Sequence, residues 1–241
     1  MPNGVDLSSN NGNVNWTLLA ADMDFAWVKA TEGRTWPSRK EDIAWFQDNL
    51  NSARAAGIPV GVYHYARPDH NSAAAEATHF LDVYKAQPGD LLPVLDLETH
   101  APMSGAAMTA WAAQWMELVK QGLNTEVVLY TYPYFISTDM GGARALKGTK
   151  LWYADYSGKP WKFLYKDKAA NFNIVAQQYS SRGTAGGVNG RVDLNYAPSL
   201  APILQSKPKP PRKGALPGPA KKPKWFWLAL QTFLKNRQKR A

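Results

Sequence analysis

Apolar positions along this chain fall into two alternating rhythms. Short runs rich in β-branched and aromatic residues occur at 3–8, 25–31, 58–66, 91–98, 126–132, 150–155, 173–180 and 190–194, and each reads as a strand. Between the early runs lie stretches with helical spacing. Ile43, Phe46, Leu50 and Ala53 mark 39–56, and Ala73, Ala77, Phe80, Leu81 and Tyr84 mark 72–87. Met108, Trp111, Ala112, Trp115, Leu118 and Val119 mark 105–121, with Gly122 as a stop. Beyond the fifth strand the intervals shorten and fill with Gly, Lys and Tyr. The alternation predicts an α/β fold, an irregular TIM-like β/α barrel of eight strands with helices mainly in its first half. Residues 1–204 form this domain.

The rhythm stops at Gln205. Residues 205–224 are rich in Pro and Lys and read as an extended linker. Residues 225–241 then form a basic amphipathic tail, in which 225–234 are long enough for a short helix but too few to span a bilayer. Trp225, Phe226 and Trp227 are expected to enter an anionic membrane or lipopolysaccharide surface, with Lys221, Lys222, Lys224, Lys235 and Arg237 against its headgroups. A disordered tail, or a helix docked on the barrel, is the plainer alternative.

Charge sharpens this division. The net charge of +9 is a property of the tail. Residues 205–241 hold 11 of the 28 Lys and Arg and none of the 19 acids, which leaves 17 bases against 19 acids before them. A nucleic-acid-binding body is therefore not expected. The chain has no cysteine, which excludes disulfides and thiol catalysis. His64 and His70 lack a third ligand at a sensible spacing, so no metal is expected, and no cofactor motif is present. The start, Met1 to Asp6, lacks the basic and apolar regions of a signal peptide, and no apolar run reaches the roughly 20 residues of a membrane span.

The chemistry concentrates in Leu91-Leu92-Pro93-Val94-Leu95-Asp96-Leu97-Glu98. In a strand, Asp96 and Glu98 share a face, with Cα atoms about 6.6 Å apart. Carboxyls at the end of a buried strand are costly unless paired, solvated in a cleft or used. Other acids also end strands: Asp6 the first, Asp155 the sixth and Asp193 the last. A barrel brings its first and last strands together and places catalytic groups at the carboxyl ends. Asp6, Asp96, Glu98 and Asp193 are therefore expected to converge on one mouth and raise one another's pKa. Glu32 suits either the groove or an ion pair with Lys29. Tyr63, Tyr65, Tyr130, Tyr132, Trp152, Tyr156 and Tyr179 lie at or near strand ends beside the acids, and with Asp155 they suggest a carbohydrate groove. Trp111 and Trp115 read as core.

The motifs that carry these residues resemble, in order along residues 3 to 197, the glycoside hydrolase family 25 muramidases. They are Gly4-Val5-Asp6-Leu7-Ser8, Val28-Lys29-Ala30-Thr31-Glu32-Gly33, Gly61-Val62-Tyr63-His64-Tyr65, Val94-Leu95-Asp96-Leu97-Glu98, Leu151-Trp152-Tyr153-Ala154, Gln177-Gln178-Tyr179-Ser180 and Val192-Asp193-Leu194-Asn195. Tyr65 stands where Phe is more usual, and the tail is not one of the repeat modules many members carry. The resemblance implies cleavage of the β-1,4 bond between N-acetylmuramic acid and N-acetylglucosamine in peptidoglycan glycan strands. It implies Glu98 as general acid, Asp96 as the group orienting the substrate's acetamido, and Asp6 and Asp193 framing the same centre. Substrate-assisted attack by the N-acetyl oxygen and inversion through an Asp base both stay open.

With the tail, this resembles a phage endolysin. A monomer is expected, made in the host cytoplasm without a signal peptide and acting at the wall or periplasm after release. A bacterial autolysin or effector is the neighbouring reading. A non-catalytic sugar-binding barrel is the alternative from another class, and it predicts loss of at least one strand-end acid.

Overall fold

The computed structural model describes residues 1–157, 161, 163 and 165–205. Eight strands close into a barrel in chain order: β1 Asn3–Leu7, β2 Phe25–Glu32, β3 Val60–Tyr65, β4 Val94–Asp96, β5 Val128–Thr131, β6 Lys150–Ala154, β7 Asn173–Gly183 and β8 Val192–Tyr196. The first seven run parallel, while β8 is antiparallel to both β7 and β1. That reversal corrects one expectation. Asp193 does not end the last strand; it lies near its beginning, and reversal brings that beginning to the mouth. β4 is also shorter than the apolar run suggested, so Glu98 lies two residues beyond it.

The three predicted helices are present as α2 Lys40–Ala55, α3 Ala73–Val83 and α4 Gly105–Leu123. Ser72 and Ser104 cap the last two, their hydroxyls accepting from the N–H groups of Ala75 and Ala107. α4 ends at Asn124, which takes the left-handed conformation in place of the usual glycine. Two short helices had no strong periodic signal: α1 Trp16–Asp22, capped by Asn15, and α5 Pro133–Thr138, opened by a proline in its first turn.

Strand parity divides the core. Val5, Leu7, Ala26, Val28, Val62, Leu95, Leu129 and Tyr153 point outward and pack with the helices, including Trp111 and Trp115 of α4. His64 also points outward, fully buried, stacked 5.0 Å from Trp115 and bonded to Thr31 Oγ1 and Glu76 Oε2 at 2.7 Å each. Its role is to tie β2 and β3 to α3.

The inward positions form a second, aromatic core. Trp27 and Trp152 stack at 4.3 Å, and Tyr130 meets Trp152 edge-on at 4.6 Å. A Cβ at Gly61 would lie 2.6 Å from the Trp27 ring, so the glycine makes room for this floor. At the end of the described barrel, Leu204 pairs with Leu91, ahead of β4. Gln205, placed by composition in the linker, is bound there as well, through its N–H to Asp90 O at 2.9 Å. The linker from 206 onward and the expected helix at 225–234 lie outside the described residues.

Candidate active site

Each acid of the mouth arrives by strand parity. Val5 and Leu7 face outward, so Asp6 between them faces in. Leu95 and Leu97 likewise face outward, leaving Asp96 and Glu98 on the inner side. The Leu97 N–H donates to Tyr130 O at 3.0 Å, which keeps the alternation going past the last residue of β4. Asp193 is the cross-strand partner of Asp6 where β8 meets β1. Asp6 and Asp96 are buried, whereas Glu98 and Asp193 are partly open to solvent.

Burial and mutual repulsion act together on these four groups. Burial, then the Asp193 charge, push the Asp6 carboxyl up to about 8. Hydrogen bonds to Asp6 Oδ2 from Asn195 Nδ2 at 2.8 Å and Gln178 Nε2 at 2.9 Å pull against that rise. Burial, followed by the charges of Glu98 and Asp6, holds Asp96 well above the ordinary carboxylate range. Glu98 is raised by burial and by Asp193, and Asp193 chiefly by burial. Crowded carboxyls of this kind cannot all ionise together, so the mouth retains protons where isolated acids would have lost them. Asp96 Oδ1 is sealed from solvent and has no hydrogen-bond partner among the described residues.

One cation moderates the cluster. Lys29, on the inner face of β2, lowers the pKa of both Asp96 and Glu98. Its ammonium lies 2.6 Å from Glu32 Oε2 and sits over the rings of Tyr65 at 4.9 Å and Trp36 at 5.3 Å. Glu32 also accepts from Arg67 at 3.3 Å, so its carboxylate is spent on ion pairs at the rim. Burial alone would raise Glu32, but these two partners hold it below its usual range.

The expected aromatics occupy different places. Tyr63 and Tyr130 line the mouth, and burial followed by the neighbouring acids raises both phenols well above their ordinary range. Tyr65 and Tyr132 form the rim, where both phenols feel Glu98 and Asp96 acts on Tyr65 as well. Trp152 is beneath the site: it is buried in the floor, and its indole N–H donates to Asn195 Oδ1 at 2.7 Å. Tyr179 stands apart, because its neighbour Gln178 points inward to Asp6 and none of the four acids acts on its phenol.

Asp155 is also outside the mouth. It follows the outward Tyr153 by two residues and accepts from the Ser157 N–H at 3.0 Å, the Ser157 hydroxyl and the Tyr165 N–H at 3.4 Å. Its carboxylate shapes a loop and is not free for substrate.

Three contributors were not among the expected site residues: Lys29, Gln178 and Asn195 all act on the acids. Tyr130 donates to Gln178 Oε1 at 2.8 Å, and the hydroxyl of Tyr156, an aromatic expected beside the acids, donates to the same oxygen. Asn195 was findable by parity, two residues from Asp193 on the same face. A concavity of about 850 Å³ lies elsewhere, against α1 and Gly187–Asn189, and its lining has no titratable side chain. Among the described residues, no group of three or more His, Asp or Glu is arranged to hold a metal.

Comparison with known proteins agrees with this fold. The family described as "Glycosyl hydrolases family 25" matches residues 5–188. Lysozyme M1 of Streptomyces globisporus is 33% identical over 213 residues, which cover 80% of this chain and 66% of that protein. The N,O-diacetylmuramidase of Chalaropsis sp is 27% identical over 213 residues, 79% of this chain and 95% of its own. The crystal structure of the bacterial lysozyme from Streptomyces coelicolor aligns with a TM-score of 0.69 at 29% identity, covering 83% of this chain and 94% of that one.

Proposed function

Since the chain belongs to glycosyl hydrolase family 25, as a peptidoglycan hydrolase of lysozyme type, we propose that Glu98 is its general acid. The supporting observation is the convergence of Asp6, Asp96, Glu98 and Asp193 on one mouth, with Glu98 raised and partly open to solvent. A carboxyl that keeps its proton toward neutral pH and can be reached from outside is suited to protonate the leaving glycosidic oxygen. The bond broken is the β-1,4 link from N-acetylmuramic acid to N-acetylglucosamine.

Asp96, whose carboxyl faces the mouth beside Glu98 and is slightly exposed, would offer an acceptor to the acetamido N–H of the substrate. That contact would aim the N-acetyl oxygen at the anomeric carbon, giving a substrate-assisted route with retention. Inversion through an Asp base gives the opposite anomer, and NMR of the first-formed product separates the two. Asp6 is held by two amides and, with Asp193, shapes the field around the reacting bond. The sugar-binding alternative is disfavoured because all four acids are present.

The biological setting proposed is host lysis by a phage endolysin. The protein would be made in the cytoplasm as a monomer and reach the wall after a separate membrane lesion. The basic, aromatic tail would hold an anionic membrane or lipopolysaccharide surface. The last described residues, Leu204 and Gln205, sit at the end of the barrel opposite the acids.

Mass spectrometry of a peptidoglycan digest tests the activity. Fragments ending in reducing N-acetylmuramic acid are expected. Reducing N-acetylglucosamine, or no soluble fragments, would overturn the assignment.

A further inference from the structure

Beside the mouth, on the α5 side, lies a groove of about 380 Å³ lined by Tyr132, Pro133, Tyr134, Ser137, Tyr165 and Lys168. Tyr132 belongs to both places, since it lines this groove and its phenol feels Glu98. Tyr132, one residue beyond the end of β5, is the residue that the groove shares with the rim of the mouth. The groove's chemistry is different. None of its lining residues is acidic, and Lys168 brings a positive charge. Tyr134 and Tyr165 keep 64% and 50% of their surface exposed, a large aromatic area that the described residues leave open.

The wall that carries Tyr165 is built firmly. The Tyr165 carbonyl accepts from the buried Tyr153 hydroxyl at 2.7 Å, and its N–H donates to the buried Asp155. Two buried side chains thus fix the backbone and leave the Tyr165 ring outside. Asp155 thereby acts on the groove at one remove, as a positioning residue.

We infer that this groove receives the peptide stem attached to the muramic acid, with Lys168 meeting a stem carboxylate and the tyrosines packing on its aliphatic parts. The inference rests on the peptidoglycan reading and adds the part of the substrate that the acids do not bind. The sugar backbone is neutral and rich in hydroxyls, which suits a mouth lined by four carboxyls. A stem peptide carries carboxylates, which that same mouth repels. It needs a path leading away from Glu98 whose walls are not acidic, and the groove beyond Tyr132, lined by no carboxyl, supplies one. Lys168 is 3.7 Å from Asp167, but both side chains are well exposed, so the ammonium remains available to an incoming carboxylate.

The test compares two substrates, intact peptidoglycan and the same glycan stripped of its peptides by an amidase. Lys168→Glu and Tyr134→Ala alter exposed side chains and should leave folding intact. On intact material Lys168→Glu should raise KM about fivefold or more with kcat little changed, since a single exposed charge pair is worth up to about fivefold and reversal exceeds simple loss. On stripped glycan the variant should match the unaltered protein. Equal losses on both substrates, or no loss on intact material, would overturn the inference. Binding of soluble N-acetylmuramyl tripeptide to the Glu98→Gln protein gives a readout without turnover. It should weaken when Lys168→Glu is added, and unchanged binding would also count against the groove. If the unaltered protein cleaves neither substrate, the peptidoglycan reading fails, and the binding measurement still decides the groove.

Discussion

Asp6 and Asp193 face one another across the seam where antiparallel β8 meets β1, and burial together with Asp193 pushes Asp6 up to about 8. Folding therefore keeps a proton on Asp6 that the unfolded chain, with an ordinary value of 3.8, releases. The sign follows. Stability from this group is full below pH 4 and is lost as pH rises toward 8. Asp193→Asn removes the second cause of the shift, so it should raise the melting temperature most near pH 8 to 9 and least below pH 4. Thermal melts across that range check it. A gain confined to acid pH would contradict the placement of the pair. Turnover should fall in the same variant, since a strained acid cluster exchanges stability for function.

Glu98→Gln keeps the shape of the side chain and removes its proton. General acid catalysis is typically worth about 10² to 10⁴ in rate. Lysis by the purified variant should fall by that order, with an unchanged circular dichroism spectrum and no loss of melting temperature. Near-normal turnover from a folded variant would remove Glu98 from the mechanism.

Lys29 lowers the pKa of both Asp96 and Glu98. Taking the charge away with Lys29→Met should raise both. A reaction that needs Glu98 protonated slows as pH climbs through its pKa, so the alkaline limb of kcat/KM should move to higher pH. A shift to lower pH, or none, would show that another group sets that limb.

For the tail, a chain ending at Gln205 should keep its activity on purified peptidoglycan and lose binding to anionic vesicles at low salt. Activity on intact cells should fall with it. Equal vesicle binding by the full and shortened chains would rule out a membrane-surface role.

The strand-end acids were legible because period-two alternation and barrel closure are both rules about sequence position. Asp6, Asp96, Glu98 and Asp193 needed no side-chain detail to be placed together. The direction of β8 was not legible, since a strand of Val192-Asp193-Leu194-Asn195 reads alike both ways until its neighbours are known. Trp152 shows a second limit. Parity sends it inward, but only the Trp27 ring stacked on it makes it floor and not wall. Asp155 failed for a simpler reason, being one residue out of phase with Ala154 on the inner face. Gln178 and Lys29 were overlooked because an amide and a lone base carry no signal of their own; their meaning comes from the carboxyls they touch.

The stacked Trp27 and Trp152 carry a consequence for how a polymer is attacked. Two indoles sealed by Tyr130 leave no bore through the barrel, so a glycan strand cannot be threaded from its end. It must be laid across the top and cut wherever it touches. Scission should therefore be random along the strand, with turbidity and mean fragment length collapsing early while disaccharides appear late. An enzyme working inward from chain ends would release small sugars first and leave the mesh intact, and such a time course would mean that the mouth accepts chain ends and not strands laid across it.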